Sequence, residues 1–483
     1  MLGGTHLIDR IINASKLFLK AEFYSSIKAP RPIHSSNVEP LTWEEWVSRF
    51  PPEKQKKLRR EMELLGGTHL IDRIINASKL FLKAEFYSSI KAPRPIHSSN
   101  VVLNFSTGRW LIPIAELLAK LLPYYICFPI HGDSLEIGDF FAEHMLGRVL
   151  VQSDFSQFDS TQHELCLKLI NKLMGMCGMP SSVVRLMELD TKSIKVSHRK
   201  GFKYICKNLR LSGRSETLLG NTMLTLMTFI HCGGPKLEAI LVKGDDVLLA
   251  FHPSCDNSDL KEVENNVAKQ GLIAKMERVH STDAEFCSSY FVPFEGRYML
   301  VPKPGKMLAK AFWCKNTQFD WVQQQEQFAG ILKGLANTFG RLPYIDGLYA
   351  NPVYLANFSN ADRIRDPYNE YTDKDVFAGE DTRSWMCEKY DLNREQLEEL
   401  EKELSCGFPV ELCSVASGRM IEMDWGPSIE TDLLKYVTEE TTFSYPDMVS
   451  VFLEELLRHV HPLLGILIGL YESIRSKSPY NLT

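Results

Sequence analysis

The stretch Leu237-Glu-Ala-Ile-Leu-Val-Lys-Gly244-Asp245-Asp246-Val-Leu-Leu-Ala-Phe251 contains two apolar runs separated by a short polar tip. Apolar and β-branched residues favour extended strands, and Gly and Asp are common in tight turns. The pattern predicts a β-hairpin that presents two adjacent carboxylates, Asp245 and Asp246, at its tip. Taken alone, it is also compatible with a plain hairpin turn that has no chemical role.

A second pair of carboxylates precedes this hairpin in the chain. A β-prone run over Val149–Gln152 leads to Asp154, and Asp159 follows near the start of a helix predicted over Glu164–Met176. Asp159 taken alone is more often a helix N-cap than a functional residue. If the strand that leads to Asp154 lies beside the Asp245 hairpin, their carboxylates converge on a divalent cation. Hard oxygen ligands of this kind suit Mg²⁺ or Mn²⁺.

Between these two patterns lies a polar loop that precedes an apolar helix. Ser212-Gly213 indicates the loop, and the helix is predicted over Met223–His231. Thr217 and Asn221 are four residues apart, so they share one helical face if the helix begins early. Their hydroxyl and amide groups are suited to reading a sugar hydroxyl. Each of them alone is more often a polar cap of the helix.

Composition and charge narrow the class of protein. The 483 residues are 44% apolar and 24% charged, which excludes a wholly disordered, collagen-like or coiled-coil chain. The net charge is −5, but residues 361–483 carry 25 acidic and 12 basic residues, so the rest of the chain has a net charge of +8. A basic body with an acidic C-terminal quarter is compatible with RNA or DNA bound to the first part.

The cysteines and the apolar segments give weaker indications of the compartment and of membrane association. The 11 cysteines include no C-x-x-C pair, which argues against a zinc site or a disulfide framework and favours a reducing compartment. The N-terminus lacks the apolar region of a signal peptide. Leu463–Tyr471 is far shorter than the roughly 20 residues of a membrane-spanning helix. It is predicted to be a buried helix, with peripheral membrane contact as the alternative.

The chain contains an internal repeat without a single substitution. Leu2–Val38 and Leu65–Val101 are identical over 37 residues. Structural repeats diverge and usually occur three or more times, so two identical copies indicate a recent duplication or an error of sequence assembly. Only the second copy continues smoothly into the rest of the chain. We therefore take Glu39–Thr483, which is predicted to begin with a short helix and a basic helix, as the working protein.

In their order and spacing, the three polar patterns resemble motifs A, B and C of the RNA-dependent RNA polymerases of positive-strand RNA viruses. The tombusvirus-, nodavirus- and alphavirus-like groups are the most similar. Asp-x4-Asp, Ser-Gly-x3-Thr-x3-Asn and Gly-Asp-Asp all lie within residues 154–246. Each motif is weak alone, and their joint occurrence makes the resemblance specific. Further similarity to motifs F, D and E is found at Phe81–Glu85 with Lys91–Ile96, at Gly271–Met276 and at Glu285–Phe291.

The resemblance implies roles for the carboxylates. Asp154 and Asp245 would bind two divalent ions, Mg²⁺ or Mn²⁺, with Asp246 beside them as a supporting ligand. Lys275, expected on a helix, would act as the general acid that protonates the pyrophosphate leaving group. A single lysine on a helix is about as often a solvent-exposed residue without a catalytic role as it is a general acid.

The resemblance also implies a set of nucleotide-binding residues. Recognition of the ribose 2′-hydroxyl would fall to Asp159 and Asn221, with three further residues of motif B nearby, namely Ser212, Gly213 and Thr217. In motif F, Lys91 and Arg94 would hold the triphosphate, with support from Lys83. Two identical copies of motif F cannot both line one channel. The copy at Lys83–Ile96 is predicted to be the active one, because it leads directly into the following motifs.

The fold implied by the resemblance is an α+β right hand. It has fingers, a palm in which a small antiparallel sheet packs on helices, and a mostly helical thumb. The expected boundaries are 1–38 outside the core, 39–145 for the fingers with motif F at 83–96, 146–291 for the palm with an inserted fingers segment at about 177–209, and 292–483 for the thumb and the acidic C-terminal region.

The implied activity is RNA-directed RNA synthesis that replicates a viral RNA genome by two-metal-ion nucleotidyl transfer. The implied partners are an RNA template, a primer or product strand and ribonucleoside triphosphates. Other viral replication proteins and host membranes are further candidates. Such a protein would work in the host cytoplasm, in membrane-associated replication complexes, and this chain is expected to lack a transmembrane segment.

Three other activities are weighed against a polymerase. A reverse transcriptase shares the palm but usually has an apolar-aromatic pair where this chain has Lys243-Gly244. A metal-dependent nuclease explains paired Asp residues but not the Ser-Gly/Thr/Asn run. A non-catalytic or defective RNA-binding polymerase-like protein is compatible with the repeat, although the carboxylates expected for catalysis are all present.

Overall fold

The computed structural model describes residues 38–64, 77–83, 94–130, 132–162, 164–199, 201–311, 319–339, 343–352, 379–406, 410 and 412–426. The chain divides into two units, residues 1–84 with 95–426 and residues 85–94 with 427–483. Of the second unit only Arg94 is described. The predictions for residues 1–37, Lys91 and Leu463–Tyr471 lie outside the described residues.

Helices make up most of the described part of the chain. Their bounds are α1 (Trp43–Ser48), α2 (Pro52–Leu64), α3 (Val101–Leu121), α4 (Ser134–His144), α5 (Phe158–Thr161), α6 (Glu164–Met176), α7 (Ser181–Lys192), α8 (Thr217–Cys232), α9 (Asn257–Lys269), α10 (Pro304–Ala311), α11 (Trp321–Phe339), α12 (Pro343–Tyr349), α13 (Glu380–Tyr390), α14 (Arg394–Ser405) and α15 (Val415–Trp425). The helix predicted over residues 164–176 is confirmed, and so are the two short helices that follow residue 39.

The strands form three small sheets. Their bounds are β1 (Ala77–Leu82), β2 (Pro95–Ser98), β3 (Ile126–Cys127), β4 (Val149–Phe155), β5 (Ile194–His198), β6 (Lys203–Cys206), β7 (Leu237–Lys243), β8 (Asp246–Phe251), β9 (Ala274–Val279), β10 (Glu285–Phe286), β11 (Ser289–Phe294) and β12 (Arg297–Pro302). Helices with small sheets agree with the predicted α+β class. The division into fingers, palm and thumb stays a prediction.

A five-stranded sheet lies at the centre of the first unit, in the order β3-β7-β8-β4-β9. Strands β3 and β7 are parallel, and the other neighbours are antiparallel. Alternate residues of each strand pack on opposite faces: Val151 and Leu249 pack towards α6 and α8, whereas Leu150 and Leu248 pack with Phe141 of α4. Because both faces are covered at β7 and β8, these strands are mostly continuous apolar runs, whereas the edge strand β9 alternates between exposed and partly buried residues.

A four-stranded sheet joins two distant parts of the chain, in the order β2-β1-β5-β6. Strand β1 pairs antiparallel with β2 and parallel with β5, which pairs antiparallel with β6, so strands that are more than 90 positions apart share one sheet. On the covered face of this sheet, Ile194 and Val196 pack against Leu211. This contact brings the segment that precedes α8 onto the sheet.

The third sheet, β10-β11-β12, packs against helices α10–α15 in a separate core. Asp424 of α15 ties this region together, because its carboxylate accepts hydrogen bonds of 2.9 Å from the hydroxyls of Tyr290 and Tyr390 and one of 2.7 Å from the Gly305 amide. A carboxylate with three donors is well satisfied inside a protein.

Two predicted elements differ from those observed. Lys275 lies on strand β9 and not on a helix, because residues 274–279 pair with β4 along its whole length. The helix predicted from Met223 begins at Thr217, so Thr217 and Asn221 do lie on one helix. In the part of the chain that the structure describes, no helix is long and apolar enough to span a membrane.

Candidate active site

The predicted hairpin is confirmed, and its tip is a two-residue turn between β7 and β8. Lys243 pairs with Asp246, which leaves Gly244 and Asp245 as the turn residues. Gly244 has a φ of +70°, a left-handed conformation that suits glycine in such turns. Two threonines of helix α8 stabilise this turn. The Gly244 amide donates to Thr222 Oγ1 at 2.8 Å, and Thr225 Oγ1 donates to the Gly244 carbonyl at 2.9 Å.

Strand β4 brings Asp154 to the same edge of the sheet. The antiparallel pairing of β4 with β8 runs as far as Ser153 opposite Val247. Asp154 follows Ser153 and Asp246 precedes Val247, so both lie one position beyond this pair at the same end of the sheet. On its other side, Asp154 pairs with Lys275 of β9. The residues Asp154, Asp245 and Asp246 are all exposed, so the carboxylates predicted from separate motifs lie together at an accessible edge.

The electrostatics of Asp246 reflect this crowding. Asp246 is exposed as a residue, but its carboxyl group is partly buried, and this burial raises the pKa of Asp246 above its ordinary value; the negative charge of Asp245 raises the pKa further. A hydrogen bond with the Cys287 side chain acts in the opposite direction, and the charges of Asp154 and Glu285 add smaller increases. Like charges at close range disfavour ionisation, so the site repels a further negative charge and attracts a cation.

Within the described residues, no group of three or more His, Cys, Asp or Glu side chains is arranged to hold a metal ion. The donor chemistry nevertheless suits a hard divalent cation, because the nearby groups are carboxylate oxygens whose mutual repulsion such an ion would relieve.

The turn between β10 and β11 also reaches the carboxylates. Cys287 and Ser288 form this turn with φ values of 51° and 59°. Burial of the thiol and the adjacent charge of Asp246 raise the pKa of Cys287 to about 12, so it remains a protonated donor towards Asp246. Glu285, two residues earlier, forms an ion pair with Lys303. Sequence reasoning identified this hairpin by resemblance to motif E but missed its contact with Asp246.

The predicted ribose-reading pair is in direct contact. Asn221 Nδ2 donates to Asp159 Oδ1 at 2.7 Å, although the two residues are 62 positions apart. Thr217, at the start of α8, uses its hydroxyl to donate to the Leu211 carbonyl at 3.0 Å. The segment 212–213 lies farther along this loop, where the Ser212 carbonyl accepts from the amide of His97 at 2.8 Å.

Gly213 is required by the close approach of this loop to strand β2. Its φ is +94°, and a Cβ atom there would lie 2.6 Å from Ile96 Cγ2. The loop of motif B therefore rests on the strand that follows Arg94, a contact that motif spacing alone does not predict.

The remaining predicted residues are basic. Lys83 follows β1 and Arg94 precedes β2, and both are exposed. Lys275 is exposed on β9, where its ammonium group forms an ion pair of 3.2 Å with Glu277. Exposed pairs of this kind contribute little stability, so the ion pair does not prevent Lys275 from reaching another group.

Residues 71–333 match the family model described as RNA dependent RNA polymerase. Non-structural polyprotein pORF1 of hepatitis E virus genotype 1 (isolate Human/China/HeBei/1987) is 31% identical over 146 residues, which are 29% of this chain and 8% of the polyprotein. The polyprotein of genotype 3 (isolate Human/United States/US2) is 33% identical over 166 residues, which are 33% of this chain and 9% of the polyprotein. The matches thus span less than a tenth of these relatives.

The family match covers more than half of the chain and includes motifs A, B and C with the strands and helix that carry them. The chain therefore belongs to the viral RNA-dependent RNA polymerases of positive-strand RNA viruses.

Proposed function

We propose that this protein is an RNA-directed RNA polymerase that replicates a viral RNA genome from ribonucleoside triphosphates, with two divalent ions at Asp154, Asp245 and Asp246. The observation that carries the proposal is the strand register that brings Asp154, Asp245 and Asp246 to the same exposed end of one sheet. The raised pKa of Asp246 supports a cation there, because it reflects the repulsion that an ion would relieve.

In this proposal the protein supplies oxygen ligands for the divalent ions and aligns the reacting groups. Asp154 and Asp245 would hold the ions, either Mg²⁺ or Mn²⁺, and Asp246 would support them. Such ions, when bound, activate the attacking hydroxyl and neutralise the charge of the leaving group. The primer 3′-hydroxyl would lose its proton and its oxygen would form a bond to the α-phosphorus, while the bond between the α-phosphorus and the oxygen that bridges to the β-phosphorus breaks, so that pyrophosphate leaves. Lys275, which pairs with Asp154 across the sheet, would give the leaving group a proton.

The same proposal assigns the sugar and the triphosphate to other groups. The Asp159–Asn221 pair would read the ribose 2′-hydroxyl. Ser212, Gly213 and Thr217 would shape the loop beside it. The triphosphate would be held by the basic residues of motif F, namely Lys83, Lys91 and Arg94.

The proposal is tested by primer extension on a poly-ribonucleotide template with labelled ribonucleotides and Mg²⁺. We expect template-dependent incorporation by the wild type and a loss of at least about a thousandfold in Asp245→Asn, since the change removes a charged ligand while keeping the side-chain shape. The matched control is Glu188→Gln, an equally isosteric change at an exposed carboxylate of α7 whose ion pair is with Arg185. The control should retain wild-type activity.

Two outcomes would overturn the proposal. One is the absence of template-dependent incorporation by the folded wild type, and the other is equal incorporation by Asp245→Asn. Parallel assays with deoxyribonucleotides separate an RNA polymerase from a reverse transcriptase, because only the latter would prefer them.

The biological setting is also a proposal. The partners would be an RNA template, a primer or product strand and ribonucleoside triphosphates, in the host cytoplasm. The matched relatives are named as non-structural polyproteins, which supports other viral replication proteins as further partners. Host membranes remain a proposed site of assembly.

A further inference from the structure

Behind the Asp159–Asn221 pair lies a chain of buried side-chain hydrogen bonds. Arg210 Nε donates to Gln162 Oε1 at 2.5 Å, and Gln162 Nε2 donates to Asn221 Oδ1 at 2.7 Å. Asn221 Nδ2 in turn donates to Asp159 Oδ1 at 2.7 Å. Four residues from motif A, motif B and the loop before it are thus joined in one continuous series. Neither Gln162 nor Arg210 was singled out from the sequence.

The residues at the inner end of this hydrogen-bonded series are buried. Gln162 is 0% exposed, Arg210 2% and Asn221 4%. Burial lowers the pKa of Arg210, and the negative charges of Glu216 and Asp159 counteract this effect. The guanidinium group also lies against the backbone of α8, since a Cβ atom on Gly220 would lie 2.5 Å from its Nη1. A buried cation placed this close to a helix backbone has little freedom to move.

The chemistry of arginine fixes which atom donates and which accepts in each hydrogen bond of this series. A guanidinium group donates hydrogen bonds but does not accept them, so the group that Gln162 turns towards Arg210 must be its oxygen. The amide nitrogen of Gln162 then faces Asn221, whose oxygen must accept. The amide nitrogen of Asn221 is thereby directed at the Asp159 carboxylate. Among the described residues, no hydrogen bond is formed to Asp159 Oδ2, which leaves this oxygen as an acceptor for a sugar hydroxyl.

We infer that Gln162 and Arg210 are positioning residues for sugar selection, which hold Asn221 with its amide nitrogen towards Asp159 so that the pair recognises a 2′-hydroxyl. The inference rests on the proposed polymerase function. If either residue loses its donor and acceptor pattern, Asn221 can rotate by half a turn. Its oxygen would then face a carboxylate, and the geometry that accepts the 2′-hydroxyl would be lost.

The test compares incorporation of a ribonucleotide and its 2′-deoxy analogue opposite the same template base. The main variant is Gln162→Glu, which keeps the side-chain shape and the contact with Arg210 but cannot donate to Asn221. We expect the ratio of kcat/KM for the ribonucleotide to kcat/KM for the deoxyribonucleotide to fall by about tenfold or more. The fall should arise mainly from a higher KM for the ribonucleotide, with the deoxyribonucleotide affected much less.

Arg210→Gln tests the same idea from the other end of the chain, because an amide at this position has no fixed donor character and no charge. It should lower the ratio in the same way. The matched control is Thr228→Val on the same helix, which removes a buried hydrogen bond of 2.7 Å to the Leu224 carbonyl. This control should leave the ratio unchanged even if it lowers the melting temperature.

The outcomes separate the inference from the proposed function. A wild type without RNA synthesis contradicts the proposed function. An active wild type with an unchanged ratio in Gln162→Glu and Arg210→Gln contradicts the inference, and so does an equal loss with both nucleotides. Each variant is assayed at a temperature at which circular dichroism shows it folded. If Gln162→Glu does not fold at any temperature, the result for Arg210→Gln decides.

Discussion

The hydroxyl group of Thr222 links two parts of the candidate site. It accepts a hydrogen bond from the Gly244 amide and donates one of 2.8 Å to the Leu218 carbonyl. The side chain is 2% exposed, so water cannot replace a lost contact. Thr222 directly follows Asn221 of motif B, and no role was predicted for it from the sequence. Its function as the support of the hairpin turn became visible only from the distance between α8 and the turn.

Replacing Thr222 with Val should impair the site more than the fold. The substitution leaves the Gly244 amide without its acceptor, so the turn that carries Asp245 loses one of its two supports. We expect kcat for nucleotide incorporation to fall about tenfold and the free energy of unfolding by about 1–2 kcal/mol. Thr222→Ser keeps the hydroxyl and should stay near wild-type kcat. Equal rates for the Val and Ser variants would show that this hydrogen bond does not align the turn.

At the scale of elements, the motif B loop depends on strand β2. The His97 amide donates to the Ser212 carbonyl, and the ring of His97 lies 2.5 Å from the Tyr204 hydroxyl of β6, measured from Nε2. The side chain of His97 is 5% exposed. Its pKa is lowered from 6.5, first by burial and then by the positive charge of Arg214. Protonation of His97 therefore opposes the packing of the loop on the strand.

The lowered pKa of His97 predicts a loss of stability in mild acid. Below about pH 6.5 the unfolded chain takes up a proton at this residue while the native state resists it, so the free energy of unfolding falls as the pH falls. His97→Gln should reduce this dependence between about pH 7.5 and 5.5, as measured by urea unfolding. His252→Gln, at an exposed histidine, is the control. A pH dependence identical to that of the wild type in His97→Gln would contradict the assignment.

A second prediction at this scale concerns the contact between α4 and β12. A Cβ atom on Gly138 would lie 1.9 Å from the Tyr298 carbonyl oxygen, so Gly138→Ala should lower the free energy of unfolding by at least about 2 kcal/mol. Gly175 of α6 offers the matched control, since a Cβ there would only touch Val184 at 3.8 Å. Gly175→Ala should stabilise the protein by about 0.5–1 kcal/mol through the higher helix propensity of Ala. Equal melting temperatures for both variants would refute the close packing.

At the scale of the whole molecule, the identical repeat raises the question of which copy of motif F is used. The second copy leads into β2, which belongs to the same sheet as β1, β5 and β6. The first copy lies outside the described residues. Continuity with the sheet that supports the motif B loop favours the second copy, because a channel can be lined by only one of two identical segments.

This choice is tested by changing the same residue in each copy. Arg94→Ala should abolish template-dependent RNA synthesis, because it removes the guanidinium group that we propose holds the triphosphate. Arg31→Ala, the identical change in the first copy, is the matched control and should leave synthesis intact. The assay is primer extension with labelled ribonucleotides. The reverse pattern would assign the channel to the first copy, and two active variants would remove Arg94 from the nucleotide site.

The sequence was sufficient for the local elements and for the family. The hairpin with Asp245 and Asp246 and the helix over residues 164–176 follow from local patterns and turn residues, which act between neighbours in the chain, and the α+β class follows from the resemblance to the family. The secondary structure at Lys275 was predicted wrongly. Lys275 was expected on a helix but lies on a strand, because residues 274–279 pair with β4, and pairing with a distant strand often decides the structure of a short segment.

Only the tertiary structure decided which groups support the candidate site. The contacts of Thr222 with Gly244, of Cys287 with Asp246, and of Gln162 with Arg210 and Asn221 join residues that are 22 to 59 positions apart. No periodicity marks such pairs, because they arise from the way strands and helices pack and not from neighbouring residues. The sequence by itself determined the family and the candidate site residues, and the packing decided which buried groups contact them, since buried polar groups must find partners wherever the fold brings them.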